Sequence, residues 1–363
     1  MYKIISYKQI LLLFLVAFYL TIIPSYGQQS QEATITIDST LVNVPVIVSD
    51  RQGRYISGLK QQDFVLYDNQ VKQPIAFFDA AQEPLNVAIL LDTSKSTRFV
   101  LEDIKSAAST FLTQLRAKDK AMIVTFDFDV QFLTPLTGNQ SQLERAIQQA
   151  YIGEYPGTKL HDAVEETVKE LKQANGRKAI VLLTDGKDHG SYLEADELID
   201  HVVESNTLIY TIFFETGENF RNRNGRWDQP FPDSRRDRRN DPFSRFPRFP
   251  RFPRFQDDFQ NRRAERQERK AERQERKSTE ARDFLTELAE VTAGRLYNSQ
   301  VTDLRKTFSL IAEELRNQYT LGFYPDNSDF TDTPHTIKVQ VAGKDVVVRA
   351  RRNYKLLAIN KTK

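Results

Sequence analysis

Two hydrophobic periods follow one another along the chain. From Thr34 to Phe78 apolar and polar residues alternate: Val42, Val44, Val46 and Val48 share one face, Asp50-Arg51-Gln52-Gly53 reads as a turn, and Phe64-Val65-Leu66-Tyr67 follows. Asp68-Asn69-Gln70 turns the chain again before a strand over Val71 to Phe78. This pattern predicts a small antiparallel β unit, too short to bury a sandwich core alone, so its partner strands must come from elsewhere. From Leu85 to about Glu215 the period changes. The unbroken apolar run Val87 to Leu91, and the apolar stretches Ala121 to Phe126, Ile180 to Leu183 and Leu208 to Phe214, the second and fourth interrupted by a single Thr, read as buried strands. Between them, Phe99-Ile104-Ala107-Ala108-Phe111-Leu115 and Leu160-Ala163-Val164-Val168-Leu171 carry helical spacing. Such alternation implies a mostly parallel sheet with helices on both faces.

Between Glu218 and about Glu280 the apolar pattern stops. Arg245 to Phe255 repeats Arg-Phe-Pro with period three, which in a polyproline II helix sorts the residue types into separate stripes. Ala264-Glu265-Arg266-Gln267-Glu268-Arg269-Lys270 then recurs as Ala271 to Lys277. This heptad has no apolar seam for a coiled coil, but Glu265 with Arg269 and Glu272 with Arg276 are favourable i,i+4 pairs, so it reads as a solvated charged helix or as plain disorder. Helical spacing returns at Phe284-Leu285-Leu288-Val291, Gly294 reads as its C-cap, Arg295-Leu296-Tyr297 as a short strand, and Leu304-Phe308-Ile311-Leu315 as a closing helix. The end is β again, at Tyr319-Leu321-Phe323, Ile337-Val339-Val341 and Val346-Val347-Val348. Neither flanking β segment suffices alone, so one sandwich built from both is expected.

Composition adds the compartment. The chain has 363 residues, 40% of them hydrophobic, and a net charge of +2, which allows two domains and a sizeable core but implies no strong electrostatic partner preference. Met1 to Gly27 places Lys3 and Lys8 before an apolar run from Ile10 to Ile23 and then Ser25-Tyr26-Gly27, the layout of a secretory signal peptide. Export to the cell envelope, the periplasm or the medium is the expectation, and membrane attachment is expected only if the leader is retained. With no Cys, disulfides and a lipoprotein anchor are both excluded.

The candidate chemistry lies where the first buried strand ends. Asp92 is followed at alternate positions by Ser94 and Ser96, an oxygen set suited to Mg²⁺ or Mn²⁺, and ligands of open parallel sheets bind outside the carboxyl ends of the strands. Alone, the triplet would equally cap the helix beginning near Thr97. Two further stretches decide: Gly157-Thr158-Lys159-Leu160 opens a helix, and Ile180 to Gly186 is a second buried strand ending in Asp185.

With these three stretches in this order, the chain resembles a von Willebrand factor type A (VWA) domain, and its layout is similar to that of secreted bacterial VWFA-related proteins. The resemblance implies an α/β, doubly wound, mostly parallel sheet of Rossmann-like kind, with a second, antiparallel β-sandwich domain built from both flanking segments. The expected division is a leader over 1–27, sandwich over 28–84 and 319–358, and a VWA-like domain over 85–318 with an insert at 218–280. The family's metal ion-dependent adhesion site (MIDAS) falls on Asp92, Ser94, Ser96, Thr158 and Asp185. It implies metal-dependent capture of an exposed Asp or Glu on an extracytoplasmic protein, without catalysis.

Other classes fit less well. An aspartyl-nucleophile phosphatase needs a second Asp where Ser94 stands, no Gly-x-Ser-x-Gly elbow occurs, and there is no thiol. His161 and His189 read as loop or rim residues. The Arg-Phe-Pro segment interleaves basic and aromatic residues as single-strand binders do, but export argues against nucleic acid. A structural envelope protein with a vestigial site stays open. Because parallel strands point one way, the loop after Leu208 to Phe214 is expected on the site's edge, where the insert extends the binding surface, sends Asp257 or Asp258 back to the metal, or serves as a spacer.

Overall fold

The computed structural model describes residues 41–214, 253–325, 334–343 and 345–355. The leader and most of the Arg-Phe-Pro repeat lie outside the described residues. The first strands are β1 (Val42–Asp50), β2 (Phe64–Asp68), β3 (Val71–Gln73) and β4 (Phe77–Asp79). Asn69 and Gln70 join β2 to β3 with φ of 46° and 69°, the left-handed pair that a tight hairpin requires. The single strand expected over Val71 to Phe78 is two strands in different sheets. Pro74 separates them, since it has no N–H for a ladder.

The middle of the chain forms β5 (Leu85–Asp92), α1 (Leu101–Leu112), β6 (Lys120–Phe126), β7 (Val130–Phe132), α2 (Gln140–Gln149), α3 (Leu160–Lys172), β8 (Arg177–Thr184), α4 (Ala195–Glu204) and β9 (Thr207–Phe213). After the insert come α5 (Pro253–Val291), β10 (Arg295–Asn298) and α6 (Leu304–Arg316). The strands make one six-stranded sheet in the order β10-β9-β8-β5-β6-β7, parallel except for β7. Alternate residues of β5 serve opposite faces. Val87, Ile89 and Leu91 pack with Ile104 and Phe111 of α1, Ile147 of α2 and Phe308 of α6. Ala88 and Leu90 pack with Val164 of α3, Leu198 of α4 and Leu285 of α5. Each such large side chain contributes about 1.5–3 kcal/mol by leaving water.

Three helical readings change. Phe99, expected on the first helix face, is 56% exposed, because Lys95–Thr97 form a single 3₁₀ turn and α1 starts only at Leu101. Pro253, Arg254 and Phe255, read as part of a polyproline repeat, are the first residues of α5, where Pro is tolerated because the first-turn N–H groups have no helical partner. Gly294 is not the left-handed C-cap residue. Ala293 takes that conformation at φ 65°, its N–H and that of Gly294 bond back to Glu290 and Ala289, and Gly294 is needed because a Cβ there would meet the Ile209 carbonyl oxygen.

The closing strands β11 (Tyr319–Phe323), β12 (His335–Val341), β13 (Val346–Ala350) and β14 (Asn353–Tyr354) complete the expected sandwich. Its sheets run β13-β1-β11-β4 and β14-β12-β2-β3, so each mixes strands from both ends of the chain. Val44, Val46, Leu66, Leu321, Phe323 and Ile337 fill the space between them.

Candidate functional site

Parallel pairing of β5 with β8, with Leu91 opposite Leu183, brings Asp92 and Thr184 level at the carboxyl edge of the sheet. Asp92 is fully buried, and its carboxylate is held at both oxygens. Oδ1 accepts the Ser94 N–H at 3.0 Å, and Oδ2 accepts the Thr184 hydroxyl at 2.7 Å. Burial foremost, and then the negative charge of Asp185, push the Asp92 carboxyl up to about 7, against the opposing pull of hydrogen bonds from Ser94 and Thr184. Ser94 and Ser96 stand with their hydroxyl oxygens 2.9 Å apart. The turn that presents them is fixed by Thr97, whose hydroxyl donates to the carbonyls of Asp92 and Ser94.

Asp185 follows directly on β8 and is nearly fully buried. Its Oδ2 lies 2.5 Å from the ammonium of Lys187. Gly186, at φ 75°, turns the chain between them and leaves room for Ala281 of α5, which a Cβ would approach to 2.8 Å.

Thr158 reaches the same edge on the loop before α3. It exchanges backbone hydrogen bonds with His189, while Lys159 N–H bonds to the Asp127 carbonyl and Leu160 N–H to the Asp188 carboxylate. A second set of contacts ties the neighbouring loops. Thr93 donates its hydroxyl to Asp127, and Gly153 N–H bonds to the Thr93 carbonyl; a side chain at Gly153 would collide with the Asp127 carboxylate. The structure thus links Asp92, Ser94 and Ser96 by direct contact, couples Asp185 to Asp92 through charge, and holds Thr158 at the same edge through its loop.

His161 and His189 take structural places. His161 opens α3 with Nδ1 2.9 Å from the Leu193 carbonyl oxygen and its ring against Phe284, and His189 serves through its backbone. Sequence reasoning missed Thr184, Thr97, Lys187 and Asp188. The signal for Thr184 was a hydroxyl residue directly before the strand-ending Asp185, masked by the ease with which Thr fills a strand. Among the described residues no three His, Cys, Asp or Glu side chains gather, so any cation here would depend on hydroxyl oxygens as well as on the two acids.

Residues 87–187 match the family model of the von Willebrand factor type A domain. No curated protein matches the chain. Solved structures similar to it include the conserved hypothetical protein BatB from Bacteroides thetaiotaomicron, 22% identical, covering 36% of this chain and 66% of that one, with a TM-score of 0.33. An aerotolerance-related membrane protein from Bacteroides fragilis is 16% identical, covering 64% of this chain and 98% of that one, with a TM-score of 0.41. Proximal thread matrix protein 1 from the mussel byssus, with a zinc-occupied MIDAS motif, is 17% identical, covering 39% of this chain and 38% of that one, with a TM-score of 0.34. The chain therefore spans less than two thirds of the first and third of these proteins. With Asp92 at the end of β5 and Asp185 just past the end of the adjacent β8, residues 87–187 of this chain match a von Willebrand factor type A domain.

Proposed function

We propose that this chain is an exported, non-enzymatic binding protein that holds Mg²⁺ or Mn²⁺ at Asp92, Ser94, Ser96, Thr158 and Asp185. Its partner is an extracytoplasmic protein with an exposed Asp or Glu. The observation that carries this reading is the buried, electrostatically opposed pair Asp92 and Asp185 beside two hydroxyls. Burial and the negative charge of Asp185 raise the cost of charging Asp92, which a divalent ion relieves, and the hydroxyl-rich donor set fits a hard cation. When bound, such a cation supplies positive charge that hydroxyl ligands leave unneutralised, hence attraction for an outside carboxylate. The chain's own residues do the rest. Thr184 and the Ser94 N–H orient the Asp92 carboxylate, and the stitched loops keep the donors in place.

Binding is supported over catalysis by the absence of any Cys and by Ser94 standing where a phosphatase needs an acid. Export rests on the leader pattern; among the described residues no helix is long and apolar enough to cross a membrane. One contact favours a second reading, a structural envelope protein with a vestigial site: the Lys187 ammonium already sits on Asp185.

Thermal unfolding with Mg²⁺, Mn²⁺ or chelator separates the two. At about 100 times the Kd, a bound cation adds about 2.7 kcal/mol, a rise of several degrees in Tm. Asp92→Ala abolishes that rise, as does the near-isosteric Asp92→Asn. A wild-type Tm indifferent to cations and chelator leaves the vestigial reading standing instead.

A further inference from the structure

Asp127 stands one position beyond Phe126, the residue of β6 that lies opposite Asp92 in the sheet, so the β6–β7 turn brings another carboxylate to the edge where Asp92 and Asp185 lie. Both of its oxygens are engaged within the protein. Oδ2 accepts the Thr93 hydroxyl at 2.9 Å, and Oδ1 accepts the Asp129 N–H at 3.2 Å. The turn fixes its direction, since the Asp127 N–H bonds back to the Asp129 carbonyl at 3.0 Å.

These bonds end beside the proposed ligands. Thr93, fully buried, lies between Asp92 and Ser94, and the Asp127 carbonyl accepts the N–H of Lys159, the residue after Thr158, at 2.8 Å. The loop between α2 and α3 is tied in at Gly153, whose N–H bonds to the Thr93 carbonyl at 3.0 Å. A Cβ at Gly153 would stand 2.5 Å from the Asp127 Cγ and 2.6 Å from Oδ2. Gly153 has no positive φ, so it is the carboxylate, not the backbone conformation, that excludes a side chain there. One residue therefore joins the turn bearing Ser94 and Ser96 to the loop bearing Thr158.

We propose that Asp127 is the positioning residue that makes this site prefer Mg²⁺ to Ca²⁺. The inference rests on the proposed cation site and adds what sets its size. Mg²⁺ demands near-octahedral oxygens at about 2.0–2.1 Å, whereas Ca²⁺ accepts looser shells at about 2.3–2.6 Å. Ligands carried on separate turns meet the first demand only when the turns cannot drift apart, and groups that orient ligands typically carry about 10–100-fold of metal affinity. Losing the Asp127 tie thus costs Mg²⁺ more than Ca²⁺. The charge of Asp127 attracts both divalent ions alike and creates no preference between them.

The test is isothermal titration of the full chain with Mg²⁺ and with Ca²⁺. Asp127→Ala lowers Mg²⁺ affinity about 30-fold and Ca²⁺ affinity about threefold, so the preference falls about tenfold. Gly153→Ala keeps the charge but pushes the carboxylate off Thr93, and it loses the preference in the same way. Asp127→Asn removes the charge and keeps an oxygen for the Thr93 hydroxyl, so both affinities fall alike and the wild-type preference stays. An unchanged preference in Asp127→Ala and Gly153→Ala overturns the proposal, and so does a loss in Asp127→Asn as large as in Asp127→Ala. Hydrogen exchange of the metal-free protein reads the tie without any cation: in Asp127→Ala the Gly153 amide exchanges about tenfold faster, while the amides of β5 and β8 keep their wild-type rates. Unchanged protection of Gly153 overturns the tie even where Mg²⁺ binds. The two levels fail separately. A wild type that binds Mg²⁺ and Ca²⁺ equally keeps the cation site and loses only the selectivity, whereas one that binds neither brings down the cation site and the selectivity with it.

Discussion

Asp92 is a carboxylate kept where a carboxylate is costly. Its folded-state carboxyl titrates near 7, above the ordinary 3.8, so the folded form binds the proton more tightly than the unfolded chain does. The stability this contributes to the metal-free protein is full below about 3.8 and is lost as pH rises through about 7. A divalent cation competes with that proton. The Mg²⁺-induced rise in Tm is therefore expected to be small at pH 5 and to grow to its full size by pH 8, a comparison that calorimetry at the two values makes directly. An equal rise at both values contradicts Asp92 as a ligand. Lys187 acts on the same balance from the other side, because its ammonium must give up Asp185 when a second positive charge arrives. Lys187→Met removes that competitor and is expected to tighten Mg²⁺ binding about tenfold, or about 1.4 kcal/mol, read by isothermal titration. Unchanged affinity would mean that the lysine moves aside without cost.

At the scale of elements, α5 joins the site to the insert. It passes Gly186 at Ala281 and Leu285 and reaches Ile209 near Thr292 and Gly294, so it runs antiparallel to β9 and its earlier turns lie beyond the site's edge of the sheet. The described side chains from Glu265 to Lys277 are exposed, and packing against the sheet begins only at Ala281. Removing the two heptads, residues 264–277, is accordingly expected to leave Tm within about one degree, since surface residues without buried partners contribute little. A large loss of Tm would show that the charged turns support the fold. Much of this layout was legible in the sequence. The buried strands announce themselves by predominantly apolar runs, and Asp92 and Asp185 stand out because a carboxylate closes the β5 run and follows the β8 run after Thr184. Other parts were masked by equally good local signals. In α2 Leu143, Ala146 and Ile147 are the buried apolar residues, a stripe too thin to recognise among its glutamines, and Lys187 looked like any solvated loop charge. Pro74 marks the break between β3 and β4, a signal masked by the apolar residues around it.

For the whole molecule, a buried charged contact ties the sandwich to the α/β layer, beside the more exposed pairs Lys355–Asp200 and Arg352–Glu290. Glu314, on α6, is fully buried, and its carboxylate accepts hydrogen bonds from the Tyr55 hydroxyl in the β1–β2 connection, at 2.9 Å, and from the Arg349 guanidinium on β13. Burial foremost lowers the Arg349 pKa, so the guanidinium also bears a desolvation cost that the Glu314 charge offsets. Nearby, Arg177 at the start of β8 donates to the Leu315 carbonyl, at 2.5 Å, and to the backbone carbonyl of Glu83 in the link from the sandwich. Removing one partner of the Glu314–Arg349 pair leaves the other poorly solvated. Glu314→Ala is therefore expected to cost about 2–4 kcal/mol in urea unfolding, at the lower end of what breaking a buried pair costs because Arg349 is partly exposed. Replacing both by methionine is expected to recover most of that loss, because an apolar pair of similar volume carries no desolvation cost. The double-mutant cycle decides the matter. A coupling energy near zero, with Glu314→Ala and Arg349→Ala simply additive, would mean that this ion pair adds nothing to the hold of the sandwich on the sheet.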